Sequence, residues 1–210
     1  MDGIDLELLF EFSPGQSLEE VQDEYRDKLF VTMQDYLQGD RPITSYKNEF
    51  ARYVNDAFTV AFIAGWNDAG AEELTPEAQD WLNGRIDSEI EFVAALFPQL
   101  KALRDDDTIP MDDKLEAAQA HAEGYTQTLV GVYNHGKMMG APHRKGTWQL
   151  GATEKHCGTC ASLNGKTHPL SWYIKNGYIP QEAGSSTLEC GGWNCDCSII
   201  DPKTGEQLIP

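Results

Sequence analysis

All five cysteines of the chain lie C-terminal to residue 156, and they fall into a pair and a triplet. The pair is Cys157-Gly-Thr-Cys160, and the triplet is Cys190-Gly-Gly-Trp-Asn-Cys195-Asp-Cys197. Thiolates are soft ligands that zinc prefers, and two short cysteine groups separated by a loop are typical of a tetrahedral structural site. The spacing therefore predicts one Zn²⁺ held by four thiolates, with no coordination position left open for a substrate.

Only four of the five thiols are needed, and the spacing leaves the fourth ligand open. We expect Cys157, Cys160 and Cys190 in every set. If Cys195 and Cys197 lie on an extended strand, their side chains point to opposite faces, so only one of them reaches the metal. We favour Cys195, with Cys197 as its substitute. The competing interpretation is a set of reduced thiols that pack as small hydrophobic side chains.

The redox setting also favours metal over disulfides. The N-terminal sequence Met1-Asp2-Gly3 lacks the basic and apolar regions of a signal peptide, so we expect a chain that stays in a reducing cytoplasm. An odd number of cysteines likewise argues against a fully paired disulfide set. His156 and His168 flank the first pair, and either could replace a cysteine as ligand. We expect both to be exposed or hydrogen-bonded to a thiolate instead.

Helices are the elements that precede and position this cysteine-rich segment. Ser17 and Glu20 have the spacing of a capping box, apolar residues follow at helical intervals, and Gly39 ends the run. Three further helices are predicted to begin near Ser45, at Thr75-Pro76 with a kink at Pro98, and near Pro110, the last running towards Tyr133.

Composition divides the chain into two predicted domains. Residues 1–140 are predicted to form a helical bundle, preceded by an N-terminal strand at 4–12, where apolar and acidic residues alternate. Residues 135–146 are rich in glycine and basic residues, which is typical of a linker. Residues 141–210 contain frequent glycine and proline, which predicts a small, loop-rich α+β module stapled by zinc. The fold class is therefore mainly α.

The charge balance disfavours simple nucleic-acid binding. Sixteen basic and 34 acidic residues give a net charge of −18, which repels the phosphate backbone of nucleic acids. Such a surface favours a protein partner with a basic face. No apolar stretch approaches the length of a transmembrane helix, so no membrane partner is expected.

The C-terminal segment resembles the end of the head morphogenesis family, the minor head proteins of tailed phages typified by the F protein of phage Mu. The similarity covers residues 148–197, about a quarter of the chain. The residues that match are Trp148, His156, Cys157, Cys160, Leu163 to Lys166, Trp172, Pro180 and Leu188 to Cys197. A weaker similarity covers the small, glycine-containing stretch from Ala61 to Trp66.

This resemblance implies a virion protein of the phage head, made in the host cytoplasm. Since the sequence has no visible Ser/His/Asp set, phosphate loop or metalloprotease helix, we expect no enzymatic activity. Its partners would be the portal and capsid proteins, with several copies arranged around a ring, and it would assist head assembly or DNA packaging. The basic residues of the predicted linker could also touch packaged DNA, although a solvated connector is the simpler interpretation. These basic residues are His135, Lys137, His143, Arg144 and Lys145.

Two other functions compete with this one. His121-Ala122-Glu123, followed by Cys157 and Cys160, imitates the signature of zinc deaminases, in which a glutamate moves protons at a zinc-bound water. The signature's proline is missing before Cys157, and the preceding residues predict helices where a deaminase needs strands. The other alternative is a zinc-stapled adaptor in a non-phage complex, which differs from a minor head protein only in its partner.

Overall fold

A computed structural model describes residues 16–152, 154–193 and 195–210, and within them the chain is mainly helical, as predicted. The strand predicted at 4–12 lies outside the described residues. No described helix is long and apolar enough to cross a membrane. The helices are α1 (Leu18–Gln38), α2 (Ile43–Asp68), α3 (Pro76–Ala94), α4 (Phe97–Asp105), α5 (Met111–Gly140), α6 (Gly158–Leu163) and α7 (Leu170–Lys175). The strands are β1 (Lys145–Gln149), β2 (Thr167–Pro169), β3 (Ser198–Ile200) and β4 (Gln207–Ile209).

The chain forms two compact units. The first, here called the helical unit, contains the described residues up to Val60 together with Asp80–Thr126. The second, called the cysteine unit, contains Ala61–Gln79 and Gln127–Pro210. Helices α2 and α5 each contribute residues to both units. The predicted division at residue 140 followed the change in composition and stays a prediction.

Local signals at both ends define helix α1 of the helical unit. The Ser17 hydroxyl accepts a hydrogen bond from the backbone N–H of Glu20, and the Glu20 carboxylate accepts one from the N–H of Ser17. Gly39 ends the helix in the left-handed conformation, with φ 87°. The predicted capping box and stop are confirmed. The largest fully buried side chains of this unit are Tyr25, Tyr36, Tyr46, Phe50 and Phe58.

The predicted kink at Pro98 is wrong, because the chain forms two helices there instead of one bent helix. Helix α3 ends at Ala94, and α4 begins at Phe97 with Pro98 in its first turn. The N–H groups of a first turn have no partner within their own helix, so a proline that lacks one costs little there. Pro98 therefore starts a helix more readily than it bends one.

Residues 135–140 are helical, so the prediction of a linker from residue 135 to 146 is wrong. Helix α5 continues to Gly140, and Lys145 already begins strand β1. His135 is buried and lies 3.8 Å from the Glu182 carboxylate, while Met138 is fully buried. A solvated connector would leave these side chains in water, so this segment belongs to the folded unit.

Two glycines explain why a segment that resembles a linker is helical. A Cβ atom on Gly136 would lie 2.3 Å from the carbonyl oxygen of Phe62 in α2. Reciprocally, a Cβ on Gly65 would lie 2.0 Å from the carbonyl oxygen of Tyr133 in α5. The missing side chains let the two backbones touch. Helices α2 and α5 are in contact at these glycines, which do not act as helix breakers.

The rest of the cysteine unit is built on a four-stranded antiparallel sheet with the order β2-β1-β3-β4. Trp148 of β1 pairs with Ile199 of β3, and both are fully buried. One hydrophobic core surrounds them and includes two of the cysteines. Its members are Met138, Trp148, Cys160, Leu163, Leu170, Tyr173, Ile179, Leu188, Cys197, Ile199, Leu208 and Ile209.

Candidate metal centre

The first cysteine pair lies at the start of helix α6. Cys157 is the N-cap residue, with an extended backbone, and its sulfur accepts a hydrogen bond from the N–H of Cys160 at 3.4 Å. A sulfur therefore takes the place of the oxygen that usually caps a helix. This is the tight turn that the Cys-x-x-Cys spacing predicts, in which a backbone N–H stabilises the sulfur that binds a metal.

Glu189 connects the two cysteine groups. Its carboxylate accepts a hydrogen bond from the N–H of Gly158 at 2.8 Å, and its own N–H donates to the Thr159 hydroxyl at 3.4 Å. A Cβ atom on Gly158 would lie 2.7 Å from that carboxylate, so glycine permits this close approach. Cys190 follows directly in the chain. This role of Glu189 was not predicted, and its position beside a cysteine is the one signal that could have indicated it.

The five thiols lie together, and all are free of disulfide bonds. The sulfurs of Cys157, Cys160 and Cys190 lie within 4.8 Å of one another, as do those of Cys160, Cys195 and Cys197. A tetrahedral zinc ion with bonds of about 2.3 Å spaces its sulfurs by about 3.8 Å. Each group thus needs only a small contraction to bind an ion, and the cluster can hold a metal.

Cys195 and Cys197 both reach the cluster, contrary to the argument that only one of them would. The expected extended strand is absent, because the described residues 195–197 form a loop that ends where β3 begins. The alternation of side chains between two faces does not apply outside a regular strand. Both sulfurs therefore lie beside that of Cys160.

Hydrogen bonds among the thiols distribute the protons unevenly. Thiols of Cys160 and Cys195 donate towards Cys197 and lower its pKa to about 3, despite its burial. The same contacts with Cys195 and Cys197 raise the pKa of Cys160 far above its ordinary value. Burial raises the pKa of Cys190. Burial also acts to raise the pKa of Cys157, but hydrogen bonds from Cys160 and Cys190 outweigh it, and the pKa of Cys157 is lowered. The cluster thus favours thiolate at some positions, which is the form that binds metal.

Trp148, Trp172 and Trp193, the three tryptophans C-terminal to helix α5, differ in burial. Trp148 is fully buried in the same core as Cys160 and Cys197. Trp172 packs against that core, and its ring stacks on the ring of His168 with 3.7 Å between centroids. Trp193 is 41% exposed. Shielding of the cluster therefore comes mainly from Trp148.

The two histidines beside the first pair have different surroundings. His168 lies on β2 and belongs to none of the groups of close ligand atoms found among the described residues. His156 forms such a group with Asp196 and Cys197. Among the described thiols, only that of Cys197 forms a group with histidine and aspartate. Asp196 was not predicted, although it separates Cys195 from Cys197 in the sequence.

The residues of the deaminase-like signature are not gathered around the thiols. No group of close ligand atoms within the described ranges contains His121 or Glu123. Both lie on α5, where Glu123 is exposed and accepts a hydrogen bond from Gln119 at 2.9 Å. This is the environment of an ordinary solvated helix face.

Comparisons with known proteins find no relative. No protein-family model, no curated protein and no solved structure significantly matches the chain.

Proposed function

We propose that this protein is a minor head protein of a tailed phage, with a C-terminal unit stapled by structural zinc. One observation supports the proposal most. Several residues of the segment that resembles the phage family, including Trp148, Leu163 and Leu188, pack in the same hydrophobic core as Cys160 and Cys197. A motif used in this way would build a structure around a metal. That suits a virion component better than an enzyme.

Zinc is the metal that the donor set fits best. The cluster offers thiolates, which are soft ligands and do not suit hard cations such as Mg²⁺ or Ca²⁺. The bound ion would neutralise the buried thiolates and cross-link α6, the loop that contains Cys190 and the start of β3. The ligands of this tetrahedral ion come from the set Cys157, Cys160, Cys190, Cys195 and Cys197. Metal analysis of the purified protein tests this assignment.

The partners in this proposal are the portal and capsid proteins of the phage head. Several copies of this protein, arranged around a ring, would bind them. The net charge of −18 favours a basic protein surface over DNA. DNA contact would depend on His143, Arg144 and Lys145, which are exposed. Arg144 already forms an ion pair with Asp201 at 3.3 Å, which weakens its attraction for phosphate. We therefore rank protein contacts above DNA contacts.

We propose no enzymatic activity. Glu123 is the only proton-transfer residue that the deaminase signature would supply, and the described structure gives it the setting of a surface residue. The protein and its Glu123→Ala variant should both be inactive on cytidine and adenosine. Deamination that disappears in the variant would refute this part of the proposal.

Co-purification tests the role in head assembly. The tagged chain would be expressed during phage production, and the proteins recovered with it would be identified by mass spectrometry. Uninfected cells that express the same tagged chain serve as the control. We expect portal and capsid subunits in the infected sample only. A chain that stays free of virion proteins would contradict the proposal and favour the adaptor of a non-phage complex.

A further inference from the structure

The sulfur atoms of the cysteine cluster form two groups of three. Among the described residues, one group contains Cys157, Cys160 and Cys190, and the other contains Cys160, Cys195 and Cys197. In each group, all sulfurs lie within 4.8 Å of one another, and the groups share one sulfur. No described group has four members. This arrangement differs from that of a single site with four equivalent ligands.

A single tetrahedral ion fits this arrangement poorly. Its four sulfurs must all be about 3.8 Å apart, since each lies about 2.3 Å from the metal. A fourth sulfur added to the first group must come from Cys195 or Cys197. Neither of them forms a group of four with those three, so at least one sulfur pair exceeds 4.8 Å. A single ion would require the loop at residues 195–197 to move.

We propose that the cysteine unit binds two zinc ions bridged by the thiolate of Cys160. The first ion is bound by Cys157, Cys160 and Cys190, and the second by Cys160, Cys195 and Cys197. A thiolate sulfur has enough lone pairs to bind two metals. This inference rests on the zinc assignment of the proposed function, and it extends that assignment from one ion to two.

The surroundings of the second position offer it a fourth ligand. His156 and Asp196 each have a ligand atom within 4.8 Å of the Cys197 sulfur. A Cβ atom on Gly151 would lie 2.3 Å from the Asp196 carboxylate oxygen, so that carboxylate packs against backbone. We therefore assign the fourth position to the imidazole of His156, a ligand that zinc commonly accepts. His156 forms a close group with Cys197 but not with Cys160 and Cys195, so its side chain must move towards these two thiols to complete the site.

The balance of charge also favours two ions. One zinc ion with four thiolates leaves a net charge of minus two, whereas two ions with all five thiolates leave minus one. Cys160 and Cys197 are 1% and 2% exposed and belong to the hydrophobic core. Uncompensated charge is costly in such a place. Two ions neutralise this buried sulfur cluster more completely than one.

A cavity gives the second position an access route. It has a volume of about 160 Å³ and is lined by Gln127, Val130, Gln181, Gly192 and Cys195. A metal site requires a path by which the ion enters, as well as suitable ligands. The cavity reaches Cys195, which belongs to the second group of thiols and not to the first.

Native mass spectrometry of the zinc-loaded full-length protein tests the inference directly. We expect two zinc ions per chain. One ion would overturn the two-ion inference and leave the single structural zinc intact. Protein that binds none would overturn both. The two proposals therefore fail in distinguishable ways, and the decisive reading needs no variant.

Variants then assign the positions. Cys197→Ser should reduce the content from two ions to one, whereas Cys160→Ser should remove both because it breaks the bridge. Circular dichroism checks that each variant retains its helices. If Cys160→Ser lost no more metal than Cys197→Ser, the bridging role would be wrong.

Cobalt substitution supplies a readout that does not depend on counting ions or on refolding a variant. High-spin Co²⁺ ions that share a thiolate couple magnetically. The electron paramagnetic resonance signal of the wild-type protein should therefore grow with the first equivalent of Co²⁺ and fall with the second. A signal that doubles with the second equivalent would show isolated ions and contradict the bridge.

Discussion

Replacing Gly136 with alanine would force a methyl group into the backbone of the neighbouring helix. The new Cβ atom would lie 2.3 Å from the carbonyl oxygen of Phe62 and 3.1 Å from its carbonyl carbon. Ordinary contacts between carbon and a carbonyl oxygen are about 3.3 Å or longer. Because a backbone carbonyl cannot rotate aside as a side chain can, these parts of α2 and α5 must separate by about 1 Å.

The size of the effect follows from two opposing contributions. Overpacking costs about 1–3 kcal/mol, and we take about 3 kcal/mol because the clash is with backbone. Alanine regains about 1 kcal/mol through its higher helix propensity. The net loss for Gly136→Ala is then about 2 kcal/mol. Gly124 lies on the same helix with nothing within 4 Å of its Cβ position, so Gly124→Ala should stabilise by about 1 kcal/mol.

Urea unfolding followed by circular dichroism measures both variants. With a slope of about 2 kcal/mol per molar urea, Gly136→Ala should lower the midpoint by about 1 M and Gly124→Ala should raise it by about 0.5 M. Gly65→Ala, which tests the reciprocal contact with Tyr133, should also lower the midpoint. Equal shifts of the same sign for Gly124→Ala and Gly136→Ala would refute the close contact between the helices.

Three further predictions concern pH, a buried hydrogen bond and metal removal. Burial raises the pKa of Glu89 despite its ion pair with Arg85 at 2.8 Å. The contribution of Glu89 to stability is therefore complete below about pH 4.5, and it is lost as the pH rises through the raised pKa. The glutamine of the Glu89→Gln variant does not titrate. In urea unfolding, the stability of this variant relative to that of the wild type should therefore rise between about pH 4 and pH 7. Parallel pH profiles of the two proteins would contradict this. The buried Asn134 amide donates to the carbonyl oxygens of Pro180 at 2.9 Å and Pro210 at 3.2 Å, so Asn134→Ala should cost about 2 kcal/mol in thermal unfolding, and an unchanged midpoint would contradict it. A strong chelator should abolish the near-ultraviolet circular dichroism of Trp148, which lies in the core beside the cysteines. The far-ultraviolet helix signal should largely persist, because the helical unit has its own core. An unaltered near-ultraviolet spectrum would contradict a metal-dependent structure.

The features that the sequence predicts correctly depend on neighbouring residues. The capping box of Ser17 and Glu20 and the stop at Gly39 act within one turn of helix. The start of α3 is equally local, since the Thr75 hydroxyl accepts a hydrogen bond from the N–H of Ala78 at 3.2 Å. The gathering of cysteines was predictable too, because soft ligands in short groups have few other uses.

The features that were missed depend on residues far apart in the sequence. Gly136 resembles a helix breaker until its contact with Phe62 is known, and that contact spans two helices. The role of Glu189 depends in the same way on Gly158, which lies 31 residues earlier. A period-two pattern could not predict the loop at residues 195–197, where both cysteines turn towards Cys160. Such tertiary contacts leave no local pattern.

X-ray absorption at the zinc edge of the purified protein tests the central claim most directly, namely that the cysteine cluster binds zinc. We expect a first shell dominated by sulfur at about 2.3 Å, with a minor nitrogen contribution from His156 and a second zinc as a more distant scatterer. A first shell of oxygen and nitrogen alone, or protein that holds no zinc, would contradict it.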